Sequence, residues 1–436
     1  MITDIIFTII ISLFCFFGFK RPYIALTGAM WVNTVKPQQL SYGFLAGAPL
    51  SMIMTMIFVL SLISNSRKIK FPRDKGPLLL MVFLMIWVSI TTYFAHYPDL
   101  AAFKYDVAIK TMFFSLLIPI VLHKQGEIET VIWGIVISVG FFVMISGAET
   151  LFGGGGYAKE VIQGRASSSG ITETSTLSSM SMVIVPLILY LYKNSMIIKA
   201  KPYLKWYLLP LIFACILSVI GTYARTGLVA GAVLALLLFW YSKYKLRYLA
   251  VGCIVLMVSV PFLPERWIER MSTVTNASEE SSALGRLVVW RWTIDYASEN
   301  PFLGGGFYSY IDNKGQLNNY VEGDERFEKN EKPKAYHSII FELLGEHGYV
   351  GLIVYLGIVF STIVKLFRNS RPEQKDKENC WSRELSKYLV ISIFVYLVGG
   401  LFVSIAFEPW LFYLVFTSLS LINLSRDSSH DRKVVS

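Results

Sequence analysis

Few side chains in this 436-residue sequence can move a proton at neutral pH, and His337 stands out among them. His96 and His123 fall at the ends of apolar runs and His430 in a polar C-terminal tail, so packing and solvation account for them. His347 precedes Gly348, which reads as the first residue past a helix. A histidine in a last helical turn interacts favourably with the helix dipole. His337 closes the one long polar segment of the chain and opens a helix-like run, Ser338 to His347, that leads into an apolar stretch. With a reference pKa of about 6.5, an imidazole there can take a proton from a hydroxyl. Helix capping or loop packing is the competing reading.

Arginines are the second group. Arg225 lies in Gly221-Thr222-Tyr223-Ala224-Arg225-Thr226-Gly227, a short turn between two apolar runs. An arginine so near hydrocarbon marks a site or a buried partner, or snorkels to the interface. Arg286 and Arg291 occur in Ala283-Leu284-Gly285-Arg286-Leu287-Val288-Val289-Trp290-Arg291, and Arg165 in Gly164-Arg165-Ala166-Ser167. Guanidinium forks grip phosphate oxygens in pairs, so converging arginines suit a diphosphate; each can also be a solvated loop cation.

Absent patterns narrow the chemistry. Gly153 to Gly156 has no Lys-Ser/Thr at phosphate-loop spacing. The sequence has no D-x-D pair and no H-E-x-x-H, so a site built from arginines, without metal or cofactor, is expected. Cys15, Cys215, Cys253 and Cys380 are scattered and form no CxxC pair.

These groups must be held by membrane-spanning helices. The chain is 54% hydrophobic and only 16% charged. Soluble domains carry about 25% charged residues. Apolar runs recur near 4–19, 22–36, 47–64, 76–93, 105–122, 128–146, 174–192, 206–221, 226–241, 247–263, 349–366, 388–404 and 409–424. Several fall short of the roughly 20 residues of a full span, which suggests sheltered interior helices. The expectation is an all-α polytopic membrane protein with about 12–13 transmembrane helices. It divides into a bundle over 1–263, a large periplasmic loop with short helices over 264–348, C-terminal helices over 349–424 and a tail over 425–436.

The net charge of +10 comes from short cationic loops, as the positive-inside rule requires, so no nucleic-acid partner is expected. Arg67 to Lys75, Lys193 to Lys205, Lys243 to Arg247 and Arg368 to Arg383 mark the cytoplasmic side. Residues 147–173, 222–225 and 264–348 then face outward, into the periplasm of a bacterium. Lys20-Arg21 also looks cytoplasmic, which leaves two possibilities: an outside N-terminus with about 13 crossings, or a first hairpin that does not fully span. Within the long loop, Ala283 to Tyr296 reads as an amphipathic helix, broken at Asn300-Pro301 before a tight Gly304-Gly305-Gly306 turn.

His337-Ser338, nine residues, then Gly348-x-x-Gly351 resembles the signature of the bacterial O-antigen ligase family. The Arg225 turn resembles that family's arginine turn, with Thr226 intervening before the glycine. Arg286 to Trp290 and Asn300-Pro301-Phe302-Leu303-Gly304-Gly305-Gly306 resemble a further family stretch. Tyr42-Gly43-Phe44, Pro264-Glu265-Arg266-Trp267, Arg270-Met271-Ser272-Thr273 and Phe341 to Gly348 are similar to the O-glycosylation ligases associated with exosortase A systems.

The resemblance implies a membrane-embedded, GT-C-like glycosyltransferase of the bacterial inner membrane. Its donor would be a glycan on undecaprenyl diphosphate and its acceptor a hydroxyl of lipid A–core or protein. Membrane lipids would surround it, and no nucleotide or metal would be needed. Arg225, Arg286, Arg291 and Arg165 would hold the diphosphate. His337 would act at the acceptor, supported by Ser338, Glu342, His347, Gly348 and Gly351. A polysaccharide polymerase of the same superfamily and a lipid-glycan transporter are the alternatives.

Overall fold

The computed structural model describes residues 2–66, 69–153, 170–246, 281–320, 332–371 and 380–435, with isolated positions between 250 and 257. The span expected at 247–263, Arg165, and the stretch from Pro264 to Thr273 lie outside the described residues.

Among the described residues the chain is all-helical. The longer helices are α1 Ile2–Lys20, α2 Pro22–Val35, α3 Leu50–Ser64, α4 Gly76–Tyr93, α5 Pro98–Leu116, α6 Gln125–Gly153 and α7 Thr174–Asn194. They continue with α8 Lys205–Gly221, α9 Arg225–Tyr241, α10 Ser281–Glu299, α11 Ile339–Ser370, α12 Cys380–Gly400 and α13 Pro409–Val435. Among the described residues, six helices are long and apolar enough to cross a membrane, and Leu50–Ser64 and Arg225–Tyr241 are shorter apolar helices. The chain is an all-α polytopic membrane protein.

α7 is the central post. Every residue from Thr176 to Ile188 is buried, against α6, α8, α9 and α12. Such all-round burial needs small residues where helices touch. Gly227 of α9 and Gly399 of α12 abut the Ser178 and Ser179 side chains of α7, where any added Cβ would overlap a hydroxyl.

The short α3 is not a sheltered interior helix. Only Leu50, Met54, Phe58 and Ser61 are buried, a single stripe at helical spacing, while its other faces are exposed. Its depth matches that of α1. The Asp4 carboxylate accepts from the N–H groups of Gly43 and Leu45, just before α3, and at the far end Ser61 donates to the Gly18 carbonyl. α1 therefore runs alongside α3 from end to end.

Alternating helices sort the connectors into two ends. One end collects 36–49, 94–97, 222–224, 300–320, 332–338 and 401–408. The other collects Arg21, 65–66, 69–75, 122–124 and 195–204, and there Asp74 pairs with Lys365 at 2.8 Å and with Arg426. Through the polar C-terminal segment α13 continues as helix to Val435.

Candidate active site

His337 stands where α10 and the first turns of α11 meet. α10 buries Val288, Val289, Trp292 and Tyr296, the apolar face expected of an amphipathic helix. The Trp290 indole donates to the Tyr336 carbonyl at 2.9 Å, and its ring stacks on Phe341 with centroids 5.0 Å apart. The Tyr336 side chain is buried and its hydroxyl meets Ser309 at 2.8 Å. His337 follows with φ of 48°, a left-handed conformation, and the residue is exposed. Ser338 is buried and extended, and α11 starts behind it.

α11 is two helices divided at Gly348, which has φ 65° and ψ −172°. That region is essentially open to glycine alone. The Gly304-Gly305-Gly306 turn caps the first piece. Gly305 N–H donates to the Gly345 carbonyl and Gly306 N–H to the Glu346 carbonyl, both at 2.9 Å. Carbonyls left open at a helix end are thereby satisfied. The Tyr349 N–H returns to the Pro301 carbonyl at 2.9 Å. The glycine motif and the histidine motif are thus one joint. A Gly348→Ala protein should lose about 1–3 kcal/mol or more, since a Cβ would also lie 2.2 Å from the Phe302 carbonyl oxygen. Thermal unfolding in detergent measures this; unchanged stability would show that the joint tolerates another backbone geometry.

Beneath His337 lies a buried ionic knot. Lys104 of α5 donates at 2.8 Å to Glu342 and to both carboxylate oxygens of Glu346. Glu342 and Glu346 are one helical turn apart, so a single ammonium reaches both. Glu346 also accepts from the Tyr308 N–H, and Glu342 from the Ala406 N–H at 3.0 Å. The knot ties α5, the polar loop and the 401–408 connector to the helix that begins behind His337.

Electrostatics bind more groups to the site. Although the residue is solvent-accessible, protein atoms crowd its ring; that loss of hydration first, and then the Arg286 guanidinium, hold the His337 imidazole below its ordinary 6.5, while Glu173 and Glu342 pull it back. Arg286 is one turn before Trp290 on the same helix, which explains its reach to the residue after Tyr336. The neutral imidazole, the form that accepts a proton, therefore dominates at pH 7. Burial pushes the Glu408 carboxyl up to about 7, against the pull of Lys36, and Glu342 and Glu173 also lie within its reach. His337 and Glu408 thus share Glu173 and Glu342 as charged neighbours. NMR of ring-labelled histidine should show the His337 titration moving up in an Arg286→Gln protein and down in a Glu173→Gln protein. Shifts in the same direction would contradict this placement.

His347 departs from the dipole reading. Its ring is buried, in edge contact with Phe307 and Phe407. Nδ1 meets the Thr91 hydroxyl at 2.7 Å, and that hydroxyl also contacts the Val88 carbonyl at 3.1 Å. With the hydroxyl donating to the carbonyl, Nδ1–H donates to Thr91, and Nε2 is buried with no hydrogen-bond partner among the described residues. This is a neutral packing histidine, and Gly351 makes room for it, since a Cβ there would lie 2.4 Å from His347 Cβ.

Arg225 begins α9, half-buried, at the same end as His337. Arg286 is half-buried and Arg291 exposed. Five residues on a helix separate the two by about 140°, so α10 does not aim both at one point.

Residues 210–356 match the family described as O-Antigen ligase. The match covers about a third of the chain, and it supports a membrane enzyme of the ligase or polymerase type. The O-antigen ligase region contains Arg225, Arg286, Arg291, His337 and the whole α10–α11 joint. Residues 2–196 match a family of unknown function, and that region supplies Lys36, Lys104 and Glu173. Glu408 lies beyond both. No curated protein matches the chain.

Lys36, Lys104, Glu173 and Glu408 are functional-site neighbours that the sequence motifs do not single out. Glu173 is the one with a local signal, an acidic residue directly before a long apolar run, and it proves to be the N-cap of α7.

Proposed function

We propose that this protein transfers a glycan from undecaprenyl diphosphate to a hydroxyl of lipid A–core or of a protein at the periplasmic face of the bacterial inner membrane. The observation that carries the proposal is the exposed His337 at the α10–α11 joint, with Arg286 on the helix that packs there, inside the O-antigen ligase region. The polyprenyl tail lies among the helices and the diphosphate at the rim by Arg286 and Arg225. His337 takes the proton of the acceptor hydroxyl as its oxygen attacks the anomeric carbon. The carbon–oxygen bond to the diphosphate breaks, its electron pair leaves with the diphosphate, and the anomeric configuration inverts. Guanidinium groups fixed in place stabilise the charge that grows there. Such chemistry asks nothing of a metal or nucleotide.

The test is reconstitution in vesicles with an undecaprenyl-diphosphate glycan and candidate acceptors, followed by mass analysis. A glycan on lipid A–core or protein supports the ligase. A longer lipid-linked polymer makes the protein a polymerase, and movement of intact donor without a new glycosidic bond makes it a transporter.

A further inference from the structure

A second polar site lies at the opposite end of the bundle. There a cavity of about 770 Å³ opens between the α1–α2 turn, the end of α3 and the start of α6. Lys20, Arg21, Lys70 and Lys124 line it. Among the described residues, the one acid in its lining is Glu127, and that carboxylate is already engaged by the N–H groups of His123 and Lys124, at 2.8 and 3.2 Å. Positive charge is therefore in excess in the lining.

A second groove, about 740 Å³, shares Lys20 and Arg21 and runs from them along α1 past Ile11, Cys15, Phe16 and Phe19. α1 is long and apolar enough to span a membrane, and Phe16, Phe17 and Phe19 are among its exposed residues. Cations at the mouth and an apolar trough leading from the same two residues match an amphiphile with an anionic head and a hydrocarbon tail.

We propose that this paired cavity is a binding site for one anionic phospholipid, its phosphate held by Lys20, Arg21, Lys70 and Lys124 and one acyl chain laid along α1. Free inorganic phosphate would satisfy the cations and leave the apolar groove empty, so the lipid is the occupant that uses both features. The site is far from His337 and independent of the proposed transfer.

Native mass spectrometry of the full chain, delipidated in detergent and titrated with phosphatidylglycerol or phosphatidylcholine of identical chains, tests it. One retained phosphatidylglycerol is expected, with at least about tenfold weaker retention of phosphatidylcholine. A Lys20→Gln/Arg21→Gln protein should lose that preference, and a Phe16→Ala protein should weaken retention without abolishing headgroup selectivity. A Lys243→Gln/Lys245→Gln protein, altered at other exposed cations of the same end, should behave as wild type. Equal binding of the two lipids overturns the proposal, as does an equal effect of the two double substitutions. Full displacement of the lipid by millimolar inorganic phosphate would leave a phosphate site only and also overturns it.

Discussion

A Lys104→Met protein should lose about 3–5 kcal/mol of stability. The Glu342 and Glu346 side chains are 4% and 1% exposed, and Lys104 is 23% exposed. Removing the ammonium leaves two carboxylates a turn apart in a poorly solvated site, each repelling the other. Breaking a buried ion pair from one side is far more costly than replacing all its members by neutral groups. A Lys104→Met/Glu342→Gln/Glu346→Gln protein should accordingly recover most of the stability. The glutamine oxygens can still accept from the Ala406 and Tyr308 N–H groups that the carboxylates now serve. Thermal unfolding in detergent at fixed pH compares the single and triple variants with wild type. A single variant as stable as wild type would mean that the carboxylates do not depend on Lys104, and a triple variant worse than the single would mean that the charges themselves stabilise the fold.

Nothing local in the sequence gives Lys104 away. The apolar run read from the sequence starts at 105, one residue past Lys104. The helix instead begins at Pro98, with proline at its first position, where the missing N–H costs nothing. Lys104 then lies about 9 Å down the helix axis, level with carboxylates that come from more than two hundred residues later. Periodicity within one segment holds no record of such a partner. Glu408 and Lys36 are hidden for the same reason. Each is one charge in a short connector, ordinary until the bundle brings them together.

The local joints are legible. The amphipathic α10, the break at Asn300-Pro301 and the Gly304-Gly305-Gly306 turn are set by backbone chemistry within a few residues. The structure adds why the two motifs belong together: the glycines of one cap the helix of the other. Arg286 and Arg291 show the limit of spacing as a guide. Both are cations in one short run, yet helical geometry points them to different flanks, and it is Arg286 that reaches His337. His347 shows the same limit, since its place in a last turn suggests solvent and a dipole while tertiary packing encloses it between two phenylalanine rings.

Replacing His337 should lower the rate of glycan transfer by about 10²–10⁴, and its backbone dictates how the test is made. At φ 48° alanine is strained, so a His337→Ala protein confounds loss of the ring with a disturbed turn. Asparagine, like histidine, is enriched at such angles, which makes His337→Asn the cleaner variant. If His337 accepts the acceptor's proton, both proteins lose the rate, His337→Asn keeps the wild-type unfolding temperature, and donor affinity is unchanged. The Arg286→Gln protein should behave differently, with weaker donor binding and an acid limb moved to higher pH, because a cation that depresses the imidazole is gone. A His337→Asn protein that transfers glycan at the normal rate would show that the position serves the turn and not the chemistry. Loss of donor binding in the same protein, with the fold intact, would instead put the histidine on the diphosphate side of the site.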